Sequence, residues 1–127
     1  MRVGTPMTPG SDTIVRIGMM LVRLGFAVAL VLGLSILTGI GPGAAALPVH
    51  IGAGLLALVG STLIYLRIKL QGYEGSRSAG IVLLALLIGA GNGILAAIGL
   101  GFGLLHLGIM LLAMAGAESA MARLKRG

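Results

Sequence analysis

Four long apolar runs, separated in turn by uncharged glycine-rich breaks and by one basic break, constrain this 127-residue chain more than any other feature. Between Leu24 and Ile40 the only polar side chains are Ser35 and Thr38, whose hydroxyls can return to the helix backbone. A stretch of this kind has no face to offer to water. About 20 apolar residues rising 1.5 Å each cover the roughly 30 Å hydrocarbon core of a bilayer. Lipid offers no hydrogen bonds to a bare backbone, and the runs lack the alternation of a barrel strand, so each is read as a membrane helix. The expected fold is all-α: an integral membrane four-helix bundle of up-and-down connectivity. With 57% apolar and 9% charged residues, a soluble domain is excluded.

Local signals set the expected boundaries. Met1 to Gly10 carries Pro6 and Pro9 and no apolar run, which gives a tail over 1–12 and a membrane domain over 13–124. The apolar stretch that follows is too long for a signal peptide. Ser11 or Asp12 is suited to cap the first helix, expected over 13–40. Gly39 to Gly43 with Pro42 breaks it, and Pro48 suits the first turn of a second helix over 48–67. Arg67 to Arg77 is the most polar loop. A third helix is expected over 78–98, with Gly89 and Gly93 forming a GxxxG pair that admits a neighbouring backbone. Gly99, Gly101 and Gly103 mark the last turn, before a fourth helix over 101–123.

The charges orient these helices. All nine Lys and Arg fall at the N-terminus and inner end of helix 1, in the middle loop or at the C-terminus, and none in the two glycine-rich turns. The positive-inside rule then places both termini in the cytoplasm, with the protein multi-pass in the cell inner (plasma) membrane. The net charge of +6 comes without a basic stripe or interleaved aromatics, so nucleic acid is excluded as a partner. The glycine runs lack the strand and lysine of a phosphate loop. No acid lies deep in helix 1, as a four-helix drug exporter would want. The expected partners are the lipid bilayer and other membrane subunits, met through glycine-rich helix faces.

Two residues carry the candidate chemistry. His50 lies just past Pro48 and His106 just past Gly103, so both sit about one turn below the outer surface on parallel helices. Helices 2 and 4 are diagonal partners in an up-and-down bundle, a placement in which two imidazoles can ligate one metal from opposite sides. Gly52, Ala53, Gly54, Gly103 and Gly108 leave room for a flat group. The chain has no cysteine, so a haem b would be held by His50 and His106 without covalent attachment. A chlorophyll-type pigment is the alternative ligand. The plain alternative is a structural pair satisfied at the interface, with Met110 as core filler. Asn92 lies near the same layer and is a candidate to orient a ligand or an imidazole. No acid accompanies the histidines, and no catalytic activity of the chain's own is expected. At the inner edge, Glu118 on helix 4 and Arg23 on helix 1 are expected to pair. The two halves also share a broad form, which suggests an internal repeat without residue-level correspondence.

The stretches Val49-His50-Ile51-Gly52-Ala53-Gly54-Leu55 and Leu105-His106-Leu107-Gly108 resemble, in pattern, one four-helix half of haem A synthase and, more loosely, b-type cytochrome membrane subunits. The resemblance covers about residues 13 to 124. It implies a histidine-ligated haem near the outer ends of the second and fourth helices. The His-Arg pair and the long cysteine-bearing outer loop of that synthase are missing, so the cofactor cage carries over and the synthase activity does not.

A reporter inserted at Gly72 or fused after Gly127 is expected to be cytoplasmic; an extracytoplasmic signal from either would overturn the charge-based orientation.

Overall fold

The computed structural model describes residues 11–101 and 103–124. Four α-helices carry the fold: α1 Thr13–Thr38, α2 Leu47–Leu70, α3 Ser76–Ala97 and α4 Gly103–Leu124, with a short 3₁₀ turn Gly43–Ala46 before α2. All four are long and apolar enough to cross a membrane. The tail expected over 1–12 lies, up to Gly10, outside the described residues, as does Phe102.

The helix ends differ from expectation by three residues at most. α1 stops at Thr38, two residues short of Ile40, because Gly39 turns left-handed at φ 69°. Thr38 Oγ1 donates to Leu34 O (2.7 Å) and Ser35 Oγ to Ile40 O (2.6 Å), which covers carbonyls at the frayed end. α2 begins at Leu47 with Pro48 in its first turn, and runs on through Arg67 and Lys69 to Leu70. Those two basic residues are therefore helical and do not belong to the loop. α3 starts at Ser76, behind a left-handed Gly75, and ends at Ala97. α4 starts at Gly103, two residues later than expected, and reaches Leu124.

α1 packs chiefly along α2 and α3 along α4; the α2–α3 contact is smaller and the α1–α4 contact slight. The α1–α2 seam is nearly backbone to backbone: a Cβ on Gly18 would stand 2.8 Å from Gly60 O, and one on Gly60 2.5 Å from Gly18 O. The buried core lies at the end that carries the basic residues. It is built from Val15, Met19 and Val22 of α1, Ile64 and Ile68 of α2, Val82 and Leu86 of α3, and Ala113, Ala117 and Met121 of α4.

Burial brings out the internal repeat in residue detail. The four buried residues of α3 (Ala79, Val82, Leu86, Gly89) stand 60 positions after four buried residues of α1 (Met19, Val22, Phe26, Ala29). Gly39 and Gly99, both left-handed (φ 69° and 79°), keep that offset. From there it falls to 56: Ala57 matches Ala113 and Ser61 matches Ala117, all buried. His50 matches His106 in this register, and so do Gly52 with Gly108, Leu55 with Leu111, Gly60 with Gly116 and Arg67 with Arg123. The four residues lost between the offsets equal the length of the 3₁₀ turn Gly43–Ala46, which only the first hairpin has among the described residues.

Asp12 locks the basic end. Its Oδ1 accepts from the N–H of Ile14 (2.9 Å) and Val15 (3.3 Å), capping α1, and its Oδ2 takes Arg67 Nε at 2.8 Å. The carboxylate is 2% exposed. Burial pushes its pKa up, but the Arg67 hydrogen bond and charge together with the two backbone donors outweigh it, and the result lies below 3.8. A carboxylate lowered in the folded state stabilises above the unfolded value and loses that stabilisation as pH falls through the lower folded value. Asp12→Asn keeps a good cap and loses the charge, whereas Asp12→Ala loses both. The alanine variant is expected to be the less stable of the two by about 1 kcal/mol in detergent denaturation, and wild type is expected to lose its advantage over the Asn variant below about pH 4.

Candidate functional site

The histidine layer is built twice from the same parts. α2 presents His50 in its first turns and α1 runs alongside, so the imidazole lies across α1 and its Nδ1 meets Ala29 O at 2.8 Å. In the second hairpin His106 Nδ1 meets Gly89 O at 2.7 Å. Ala29 and Gly89 are themselves a matched pair in the repeat. A carbonyl only accepts, so the shared proton sits on Nδ1 of each ring, and in the neutral ring Nε2 then carries a free lone pair.

The glycines one turn further along explain how the rings get so close. Gly33 lies beneath His50: a Cβ there would be 3.0 Å from Cε1 and 3.3 Å from Nδ1. Gly93 lies beneath His106, with the corresponding distances 2.7 and 3.0 Å. The Gly89/Gly93 pair thus differs from expectation: the atoms nearest to it belong to the side chains of His106, Met110 and Ile109. Met110 Sδ packs against Gly89, as core filler does.

The two rings, one on α2 and one on α4, meet edge to face, with centroids 5.9 Å apart and planes at 68°. An imidazole nitrogen sits about 2 Å from a bound metal, and a ring centre lies about 1 Å behind its nitrogen. Two imidazoles on opposite sides of one metal therefore have ring centres about 6 Å apart. Among the described residues no third His, Cys, Asp or Glu joins the pair. A bare zinc site needs three or four protein ligands, while a macrocycle brings its own equatorial nitrogens and asks the protein for two.

The helices bury little around the rings. Among the described residues burial stops at Ala29 in α1 and at Gly89 in α3, and begins only at Ala53 in α2 and Ala113 in α4. Among the described residues no large apolar side chain of the histidine layer is buried. A Cβ on Gly52, Gly54 or Gly108 would meet nothing within 4 Å, whereas Gly103 lies against Leu37. Ala53 is buried against α1, where its carbonyl faces Gly25. Asn92, one position before Gly93, has a buried Oδ1 with no hydrogen-bond partner. Its counterpart in the first hairpin is Leu32. The only other such atom among the described residues is Ser61 Oγ, beside a cavity of about 20 Å³ in the inner core. That cavity's remaining walls are Met, Ile, Val and Ala side chains, short of the two to four polar partners a water needs.

Compared with protein families, characterised proteins and solved structures, the chain matches none.

Away from the histidines, Arg23 and Glu118 pair as the sequence suggests. Arg23 Nε reaches Glu118 Oε1 at 2.7 Å and Nη2 reaches Oε2 at 2.8 Å, a two-pronged bridge across the thin α1–α4 seam. Its side chains are 52% and 40% exposed, so it counts as a surface pair of about 1 kcal/mol or less and not as a buried one. Glu118 lies about 18 Å from His106 along α4. In a double-mutant cycle of Glu118→Gln and Arg23→Met, thermal stability in detergent is expected to show a coupling of about 0.5–1 kcal/mol. Additive losses would show that the bridge contributes nothing.

Proposed function

We propose that this chain is a small b-type cytochrome-like membrane subunit in which His50 and His106 hold one haem b between α2 and α4. The observation that supports it is the opposed imidazole pair: each Nδ1 is tied to a backbone carbonyl, each Nε2 is free, and the ring centres lie at the spacing of two ligands on one metal. In this reading the helices form an up-and-down bundle in the plasma membrane, with both termini cytoplasmic and the histidine layer near the extracytoplasmic face.

Bound haem supplies a one-electron carrier. The chain's own part is to hold it. His50 and His106 would be the two protein ligands that hold it, an arrangement that suits electron relay or the anchoring of a redox complex and not catalysis. The carbonyls of Ala29 and Gly89 fix the proton on the far nitrogen and set each ring's direction, as outer hydrogen bonds do for metal-bound histidines. Asn92, whose buried Oδ1 is without a partner, would accept a hydrogen bond from a donor on the bound group or on an imidazole. The sparsely buried layer beyond Ala29 and Gly89 would receive the ring system. A chlorophyll-type pigment would use one imidazole and leave the other without a role.

A second reading has its own observation. Both histidines are already satisfied by carbonyls and pack edge to face, as a structural pair would. Gly52, Gly91 and Gly108 then serve as open faces for other membrane subunits in a cofactor-free assembly role.

A reduced-minus-oxidised spectrum of protein purified from haem-replete cells separates the two. The expected result is a b-type band, lost in His50→Ala and in His106→Ala. A folded wild-type protein without that band would leave the assembly role standing.

A further inference from the structure

Glycine is the poorer helix former, yet both hairpins place one in mid-helix directly under a histidine ring. In an α-helix, residues four apart share a face. The carbonyl of residue 29 therefore lies beside position 33, and that of 89 beside position 93. Each carbonyl serves the helix with one lone pair and has a second to give. A Cβ one turn later would cover it. Across the rest of the repeat most matched positions differ in residue type, but Gly33 and Gly93 are the same, 60 positions apart.

We propose that Gly33 and Gly93 are positioning residues: by baring the carbonyls of Ala29 and Gly89 they hold each imidazole by Nδ1 and aim Nε2 of His50 and His106 at one shared point. The inference rests on the haem reading for what occupies that point; the two Nδ1–carbonyl contacts are properties of the chain itself. A histidine that needed only a polar partner would be served by any carbonyl or by water at the interface. Here the same glycine, carbonyl and imidazole recur at matched positions, and the two rings converge at 5.9 Å.

The full-length protein labelled with ¹⁵N-histidine in micelles has two ring systems to read. In wild type both neutral rings are expected to carry the proton on Nδ1. Gly33→Ala is expected to release His50 alone and Gly93→Ala His106 alone, the second more completely because the added Cβ would come within 2.7 Å of the ring. Gly91→Ala, two residues away with nothing within 4 Å, is the control and is expected to change neither. In haem titrations of the same proteins, affinity is expected to fall roughly 10- to 100-fold in the two positioning variants, with a shift in midpoint potential. If Gly93→Ala does not fold, Gly33→Ala, with the milder clash, decides. Wild-type rings protonated on Nε2 would overturn the proposal, as would variants with wild-type tautomers and haem affinity. A wild type that takes up no haem but shows both Nδ1 protons, lost on substitution, would remove the haem reading and keep the aiming. A wild type that binds haem, with Gly33→Ala and Gly93→Ala binding it equally well, would do the reverse.

Discussion

Everything in this structure depends on how closely α1 lies along α2. Lipid gives helices no hydrophobic reason to associate, so contact area and close approach must supply it. Gly18, Gly25 and Gly60 supply the approach. At Gly25 the Ala53 carbonyl lies 2.5 Å from where a Cβ would be. A larger residue at any of the three would push the hairpin open. The same seam brings Arg67 back to Asp12 at one end and His50 onto Ala29 at the other. The polar contacts use a separation that backbone packing has already set.

The two ends of the molecule then have different characters. Toward the basic residues the interior is filled by Val, Ile, Leu, Met and Ala. Toward the glycine-rich turns it is held by the two imidazoles, while large apolar side chains such as Val31, Leu37, Val49, Ile94 and Leu104 face outward. Outward-facing apolar residues suit lipid. A centre that holds two polar rings and an unpartnered Asn92 amide oxygen does not suit lipid, and that contrast makes the histidine layer the functional candidate.

Much of this was legible in the residues. Hydropathy alone marks four helices, because lipid leaves the backbone few alternatives. The Arg23–Glu118 bridge follows from two lone charges at matching depth on helices that meet. The common depth of His50 and His106 follows from a proline and a glycine that start their helices. Other features were not legible. Arg67 looks like a loop residue because charge usually ends an apolar run; its pairing with Asp12, 55 positions away, is what makes the extra helical turn worthwhile. Gly33 looks like any of the 23 glycines until a ring is seen above it. The repeat escapes a reading by eye because its offset changes at the glycine-rich turn, where the first hairpin has four additional residues, and because lipid-facing positions accept almost any apolar side chain. Burial, which the sequence does not print, is what aligns the halves.

The repeat has a consequence for ancestry. A two-span hairpin ends on the side of the membrane where it began, so a copied and fused hairpin re-enters in the same sense, and the copies are related by an axis along the membrane normal. Only residues close to such an axis can meet their own copies. His50 and His106 do so, ring to ring. A single-hairpin forebear would have owned half a site and completed it only by pairing with its twin. A single chain lets the matched positions of its halves differ, Leu32 beside Asn92 and Thr62 beside Glu118, in ways that identical subunits encoded by one gene never can.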